Sequence, residues 1–314
     1  MKKTFTLIFS FIICALAQGN HANAASQQQM RFHCQNDTTE INQLLADGSK
    51  SGLKKPNELM TFYAHKLIGR PYVAHTLEGD TEKLTINIDQ LDCTTFVETL
   101  YALTRTTLNL RESWRDFANQ LESVRYHRGV LGDYSSRLHY ISDWIIDNNS
   151  RGNLVEVTAD LPRVAYKVKT IDYMTTHRDQ YPQLADSAIF EKVREFERGF
   201  CNHRFPYIKK EVLDAKDVVD GLESGDIVAI TTKMPGLDVS HLGIIEKNGK
   251  TLFLLDASSI GKKVQLETLD LKEMLRMRKS AYGIRVFRIQ TDNKIKTPDN
   301  YGQKRSDAKS HCPL

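Results

Sequence analysis

The chain has 314 residues, of which 40% are apolar and 26% are charged; this composition is typical of a folded globular protein and excludes a disordered or fibrous chain. Lys and Arg number 43 against 39 Asp and Glu, a net charge of +4. Because the surplus is small and no basic run accompanies it, nucleic acid is not an expected partner.

The first 24 residues have the pattern of a secretory signal peptide. Lys2 and Lys3 precede a mostly apolar run, Phe5 to Ala17, which is too short to span a bilayer as a helix. Ala22-Asn23-Ala24 is a small-x-small cleavage site. Cleavage after Ala24 predicts a periplasmic protein with no stable membrane insertion.

Residues 25–55 are polar and predict an irregular N-terminal arm, and helices dominate the region that follows. Apolar residues at helical spacing predict helices over 57–69, 92–105, 114–124 and 138–145. Strands are predicted over 154–157 and 164–168, and a further helix over 189–199.

From Gly225 onward the predicted strands crowd together, over 226–230, 239–246, 251–255 and 282–289, with a helix over 271–277. Asn248-Gly249 is a strong hairpin signal, because a type I′ turn needs two residues at positive φ. Residues 291–314 form a polar tail. Helices first and an antiparallel sheet last predict an α+β fold.

Four cysteines follow the leader: Cys34, Cys93, Cys201 and Cys312. None lies in a Cys-x-x-Cys pair or a Cys/His cluster with zinc spacing, so neither a metal nor another cofactor is expected. Cys34, Cys201 and Cys312 could form one disulfide in any of three pairings, or none. We expect Cys93 to be a free thiol.

Cys93 directly follows Asp92, the predicted N-cap of the helix over 92–105. A thiol at a helix N-terminus lies at the positive end of the macrodipole, which favours the nucleophilic thiolate. The N–H groups of the first turn lack intrahelical partners and can bind the oxyanion of a tetrahedral intermediate. The alternative is a small buried apolar residue, as most free cysteines are.

His241 lies on a predicted strand and is followed by Leu242 and Gly243; the glycine permits close approach of another backbone. Its expected role is general base toward the thiol and then general acid toward the leaving amine. Asp256, at the end of the neighbouring strand, could orient the ring and stabilise the imidazolium. The structural alternatives are a satisfied strand histidine and a turn-starting acid.

These residues also carry a family resemblance. The chain resembles the NlpC-type superfamily of papain-fold cysteine hydrolases acting on the bacterial cell wall, and within it the N-acetylmuramoyl-L-alanine amidase-like family. The resembling motifs run in order from about residue 57 to 289: Gly69-Arg70-Pro71-Tyr72, Leu91 to Glu98, Ser136 to Tyr140 with Asp143-Trp144-Ile145, Gly225 to Val228, Gly236 to Ile244, and Asp256 to Ser259.

The resemblance implies one papain-like domain over residues 56–290, in which N-terminal helices pack on the C-terminal antiparallel sheet. It implies Cys93 as the nucleophile, His241 as the base, and Tyr72 as a residue that flanks the thiol and polarises the scissile carbonyl. The third catalytic place falls at Asp256, where many relatives carry histidine. Aspartate can perform the same orienting role.

The stretch between Cys93 and His241 is longer than compact relatives need. We interpret residues 106–220 as an insertion that builds walls around the cleft, and Arg137 as a clamp for a substrate carboxylate. The alternative for the arginines is a solvated surface charge, and for His139 a helix-face position. The candidate substrate-binding residues are Arg128, Tyr134, Ser135, Ser136, Arg137 and His139.

The function expected from the resemblance is hydrolysis of the N-acetylmuramoyl-L-alanine amide in peptidoglycan fragments or muropeptides, through a thioester on Cys93. One alternative is a D,L-endopeptidase that cuts γ-D-glutamyl bonds in the peptide stem. A catalytically silent cell-wall-binding module is another. A metal-dependent amidase using His127, His139, His203 or His241 is a third, although no metal-binding spacing supports it.

Overall fold

The computed structural model describes residues 29–291. The predicted signal peptide and all but the first residue of the predicted tail lie outside this range. Within it, no helix combines the length and apolar character needed to cross a bilayer.

The described region combines helices with a large antiparallel sheet, as predicted for an α+β fold, although a short strand precedes the first helix. They are α1 (Asp37–Ser51), α2 (Pro56–Leu67), α3 (Cys93–Leu108), α4 (Trp114–Arg125), α5 (Ile141–Ser150), α6 (Tyr173–Thr176), α7 (Ser187–Arg198), α8 (Lys216–Gly221) and α9 (Leu271–Met277). The strands are β1 (Met30–Phe32), β2 (Leu84–Ile86), β3 (Leu154–Glu156), β4 (Val164–Lys169), β5 (His203–Lys209), β6 (Ile227–Thr232), β7 (Val239–Asn248), β8 (Thr251–Ser258), β9 (Lys263–Leu266) and β10 (Ala281–Ile289).

One large antiparallel sheet organises the C-terminal half. Its strand order is β4-β5-β10-β6-β7-β8-β9, and β3 also pairs with β10. Strands β7 and β8 form the hairpin predicted at Asn248-Gly249, with Asn248 opposite Thr251. The short strands β1 and β2 pair in parallel as a separate ribbon.

The sheet is covered on both faces, which explains why β6 is buried at every residue. Helices α1 to α5 cover one face, where Trp144 and Phe96 are fully buried beside Ala229 of β6. Helices α8 and α9 cover the other face, where Leu275 meets Val228 of β6. A strand buried on both faces shows no alternation of apolar and polar residues.

The N-terminal arm was predicted to be irregular, and that prediction was wrong. Residues 37–51 form helix α1, whose Ile41, Leu44 and Leu45 are buried in the main core. Their i, i+3, i+4 spacing is the helical signal, but polar neighbours on both sides mask it. Gly52, in the left-handed region at φ +71°, ends the helix.

The predicted insertion has an apolar cluster of its own. Tyr140 of the segment before α5, Met174 of α6 and Val193 of α7 pack together there. The loop that precedes β7 joins this cluster through Leu237. Elements between residues 106 and 220 therefore contact the segment that leads into the strand of His241.

Candidate active site

Cys93 is the first residue of helix α3. The Asp92 side chain caps the helix by accepting a hydrogen bond from the Thr95 N–H at 2.8 Å, and the Thr95 hydroxyl accepts one from the Asp92 N–H at 2.9 Å. This reciprocal box fixes the first turn. The Cys93 and Thr94 N–H groups precede the first intrahelical bond, which Phe96 donates to the Asp92 carbonyl at 2.9 Å. They are therefore free of helical partners and can donate hydrogen bonds to a bound anion.

The thiol, the imidazole and the acid predicted from the sequence are brought together. Helix α3 packs against β7 and β8, and the Cys93 side chain lies beside His241 of β7, close enough to raise the pKa of its ring. The other side of that ring contacts Asp256 of β8 through Nε2 and Oδ2. His241 is 6% exposed and Asp256 is fully buried, so the pair lies in a low-dielectric setting.

The charges around His241 favour its protonated form. Burial alone lowers its pKa, but the neighbouring Cys93 and the hydrogen bond from the ring to Asp256 raise the pKa to about 9. At neutral pH the ring is therefore an imidazolium beside the sulfur of Cys93. This arrangement suits proton donation to a leaving amine.

The raised pKa makes a prediction about stability and pH. A group whose folded-state pKa is raised contributes stability that is complete below its unfolded value, near 6.5, and that disappears as the pH rises through about 9.

Replacing Cys93 by alanine removes the largest of the influences that raise the His241 pKa, so the NMR titration midpoint of His241 should fall well below that of the wild type. An unchanged midpoint would mean that Cys93 does not influence the pKa of His241.

Tyr72 flanks the thiol, as the resemblance implies. Its main chain bridges to Leu91, and its N–H donates to the Lys262 carbonyl at 2.9 Å. Burial, followed by the nearby Cys93 and Asp92, raises the Tyr72 pKa to about 12. The hydroxyl therefore keeps its proton and can donate a hydrogen bond to an oxyanion.

The carboxylate clamp predicted for Arg137 is not supported by its contacts. Its guanidinium donates to Glu82 at 2.6 and 3.1 Å, to Glu78 at 2.7 Å and to the Leu77 carbonyl at 3.3 Å. The residue is 8% exposed. Four of its five N–H donors thus hold the loop after Tyr72, and nothing in the sequence marks two acids more than 50 residues away as its partners.

The other candidate binding residues are also held mainly by their own surroundings. Tyr134 is buried against the Arg137 guanidinium, and Ser135 is buried with its hydroxyl on Asp133. The His139 ring bonds to the Tyr134 carbonyl, and burial lowers its pKa to about 3, with help from the charge of Arg137.

Two further candidates lie at the edge of this group. The Ser136 hydroxyl donates to the Asp133 carbonyl at 2.6 Å, and Arg128 is exposed at φ +56°. Arg128 is therefore the one of the six that its surroundings leave most accessible.

Removing Arg137 should therefore cost stability rather than selectively weaken substrate binding. Arg137→Met leaves the Glu82 side chain, 3% exposed, without its cation; breaking a buried pair this way costs about 3–5 kcal/mol. Urea unfolding measures the loss, with the exposed Arg128→Met as the matched control. A raised KM at unchanged stability would instead support the prediction that Arg137 clamps a substrate carboxylate.

The cysteines are divided between free and bonded forms. Cys93 is a free thiol, as predicted, and Cys34 is also free. Cys201 is disulfide-bonded. Because Cys34 is a free thiol, the possible pairings that involve Cys34 are excluded.

Potential metal ligands cluster away from Cys93, His241 and Asp256. Over residues 29–291, the group of His, Cys, Asp or Glu side chains close enough to share an ion is Cys34, Asp37 and Asp89. Asp89 is already paired with Arg70, and Asp37 accepts the Cys34 N–H at 2.8 Å. This group contains none of the histidines considered for a metal-dependent amidase.

Solved structures of an amidase are similar to most of the chain. Two structures of an N-acetylmuramoyl-L-alanine amidase from Bacteroides uniformis are 38% and 39% identical, with TM-scores of 0.71 and 0.70. Each alignment covers 75% of this chain and 99% of that one. The Legionella pneumophila protein LPG0564 is 20% identical over 81% of this chain and 95% of its own, with a TM-score of 0.60, and shares the fold.

None of the curated proteins compared with the chain matches it. The family model described as AmiA-like, N-acetylmuramoyl-L-alanine amidase-like, matches residues 63–284. That range includes the capped start of α3, the strand of His241 and the strand of Asp256. The chain therefore belongs to the N-acetylmuramoyl-L-alanine amidase-like family.

Proposed function

We propose that the protein is a periplasmic cysteine amidase that hydrolyses the bond between the lactyl group of N-acetylmuramic acid and L-alanine in peptidoglycan fragments. The observation that carries this proposal is the juxtaposition of Cys93, His241 and Asp256 at the N-terminus of α3, with His241 in contact with Asp256. Family membership supports a peptidoglycan-type substrate. The choice of bond rests on the family and on the name of the Bacteroides uniformis relative.

In the first step the Cys93 thiolate attacks the carbonyl carbon of the lactyl amide, and the carbonyl oxygen becomes an oxyanion. The N–H groups of Cys93 and Thr94 and the protonated hydroxyl of Tyr72 are the donors available to it. Because these donors are held by the helix cap and by the backbone contacts of Tyr72, little reorganisation accompanies the charge as it develops.

In the second step the tetrahedral adduct collapses and the C–N bond breaks. The His241 imidazolium gives its proton to the departing nitrogen of L-alanine, so the stem peptide leaves as a neutral amine, and a thioester joins the lactyl carbonyl to Cys93. Neutral His241 then takes a proton from water, whose oxygen attacks the thioester. The products are the free lactyl carboxylic acid and the regenerated thiolate–imidazolium pair.

Asp256 acts through His241 in both steps. Its carboxylate holds the ring by the Nε2 contact, which leaves Nδ1 for the thiol and stabilises the imidazolium.

The proposed fold family is the NlpC-type papain-like family. The order of N-terminal helices followed by an antiparallel sheet supports this proposal.

The proposed location rests on the leader motif of residues 1–24. Export should give a mature chain that begins at Ala25. N-terminal sequencing of the protein recovered from a periplasmic extract tests this, and an intact Met1 would contradict it.

Mass spectrometry of defined muropeptides incubated with residues 25–314 tests the reaction. The proposal expects a free stem peptide that begins with L-alanine, together with the matching lactyl acid. Cleavage inside the stem would indicate the D,L-endopeptidase. Turnover abolished by a chelator but indifferent to a thiol alkylator would indicate a metal-dependent amidase, and binding without turnover a silent module.

A further inference from the structure

Strands β7 and β8 approach each other unusually closely beside the catalytic acid. Extending their register by one residue from Ile244 opposite Leu255 sets Gly243 opposite Asp256. A Cβ atom built on Gly243 would lie 3.0 Å from the Asp256 Cβ and 2.9 Å from the Leu255 carbonyl oxygen. Opposed Cβ atoms of a regular antiparallel pair lie about 4.5–5.5 Å apart, so two side chains cannot share this position.

The position of Gly243 along β7 connects this close approach to the histidine. Side chains alternate along a strand, so residues 241 and 243 share one face, and Asp256 reaches His241 diagonally across the place where a residue-243 side chain would stand. We infer that Gly243 is a positioning residue, whose missing side chain is the space that lets the Asp256 carboxylate contact the His241 ring. This inference rests on the proposed function only in calling that contact catalytic.

Asp256 has little else to hold its carboxylate in place. Oδ2 contacts His241, while Oδ1 is buried with no hydrogen-bond partner among residues 29–291. The carboxylate is therefore located by the path of β8 and by the ring it contacts. Any side chain on residue 243 must move β8, because one of the nearest obstacles is the main-chain oxygen of Leu255.

The consequence is a specific change in the titration of His241. The ionisable groups that act on the ring are Cys93 from α3 and Asp256 from β8, while Cys93 and Asp92 act on the hydroxyl of Tyr72. Displacing Asp256 removes one of the two influences that raise the His241 pKa and leaves Cys93 in place. Loss of an opposite charge within hydrogen-bonding distance lowers such a pKa by about 1–3 units.

The experiment compares wild type, Gly243→Ala, Asp256→Asn and the double variant by NMR titration of the His241 ring and by muropeptide hydrolysis. We expect Gly243→Ala to lower the midpoint by at least about one pH unit, with reduced kcat and little change in KM. In the Asp256→Asn background the same substitution should shift the midpoint no further, because the acid it displaces is already neutralised.

Gly283→Ala is the control for a purely structural effect. Its added Cβ would also meet a main-chain oxygen, that of Ile208, but between β5 and β10, so it should lower stability and leave the His241 midpoint in place. If Gly243→Ala does not fold, Leu254→Ala in the same chain removes the Cδ1 atom 2.9 Å away and gives β8 room to move; the midpoint should still fall.

A wild-type midpoint in folded Gly243→Ala overturns the inference, as does an equal further shift in the Asp256→Asn background. The titration needs no substrate, so it also separates this inference from the proposed reaction. Absence of muropeptide cleavage by the wild type, with the expected midpoints, would remove the amidase proposal and leave the positioning of Asp256 intact.

Discussion

Replacing Cys93 by alanine is expected to lower kcat for muropeptide hydrolysis by at least about a thousandfold. The substitution removes the sulfur atom on which the proposed thioester forms, while the Asp92–Thr95 cap that holds the start of α3 stays. Substrate affinity should survive, because the anion-donating N–H groups belong to the main chain. Mass spectrometry of the products gives the rate, and equilibrium binding of a muropeptide gives the affinity.

Cys34→Ala is the matched control, since Cys34 is the other free thiol of the described region and is also partly buried. Its sulfur contacts Asp89 and Asp37, at 3.4 and 3.6 Å, and no contact joins it to His241. This variant should therefore keep wild-type turnover and lose one alkylation site. Equal hydrolysis by wild type and Cys93→Ala would remove cysteine catalysis altogether.

The elements that were predictable carry their signals locally. Helix α3 combines an N-cap aspartate with an apolar face, and the β7–β8 hairpin carries Asn248-Gly249 at its turn. Strand β5 was missed because Pro206 interrupts its pattern. The proline is tolerated there because β10 pairs with β5 only at Ile208 and Lys209, so no hydrogen bond is required of residue 206 on that side.

The candidate site also contains residues that local sequence features predict and residues whose surroundings depend on the tertiary structure. Cys93 and His241 could be identified because a helix start and a strand glycine are local features, and the fold places the two residues side by side. The surroundings of Arg137 could not be predicted, since Glu78 and Glu82 lie in a loop without periodicity and meet it only in the tertiary structure. Single-residue chemistry suggests a clamp, whereas burial turns the same guanidinium into a structural cation.

A buried ion pair is expected to contribute strongly to the stability of helix α3. Glu98 lies five residues after Cys93, and its carboxylate accepts a hydrogen bond from Arg125 of α4 at 2.7 Å, with both side chains 3% exposed. Arg125 also donates to the Thr85 carbonyl at 2.8 Å. The pair thus joins helix α3 to α4 and to β2.

Arg125→Met is expected to lower the free energy of unfolding by about 3–5 kcal/mol, because it leaves the Glu98 carboxylate buried without a cation. Glu98→Leu in the same chain should restore much of that loss, since two apolar side chains of similar volume replace both charges. Urea unfolding of the two single variants and the double variant gives the coupling energy.

Arg115→Met is the control for this cycle: it lies on the same helix but is exposed and rests on the Trp114 ring, so it should change stability by less than about 1 kcal/mol. A double variant as unstable as Arg125→Met would mean that the arginine matters for its packing and for Thr85 rather than for the charge of Glu98. Recovery in the double variant, accompanied by recovered turnover, would show that the pair stabilises α3 without taking part in the chemistry at its first residue.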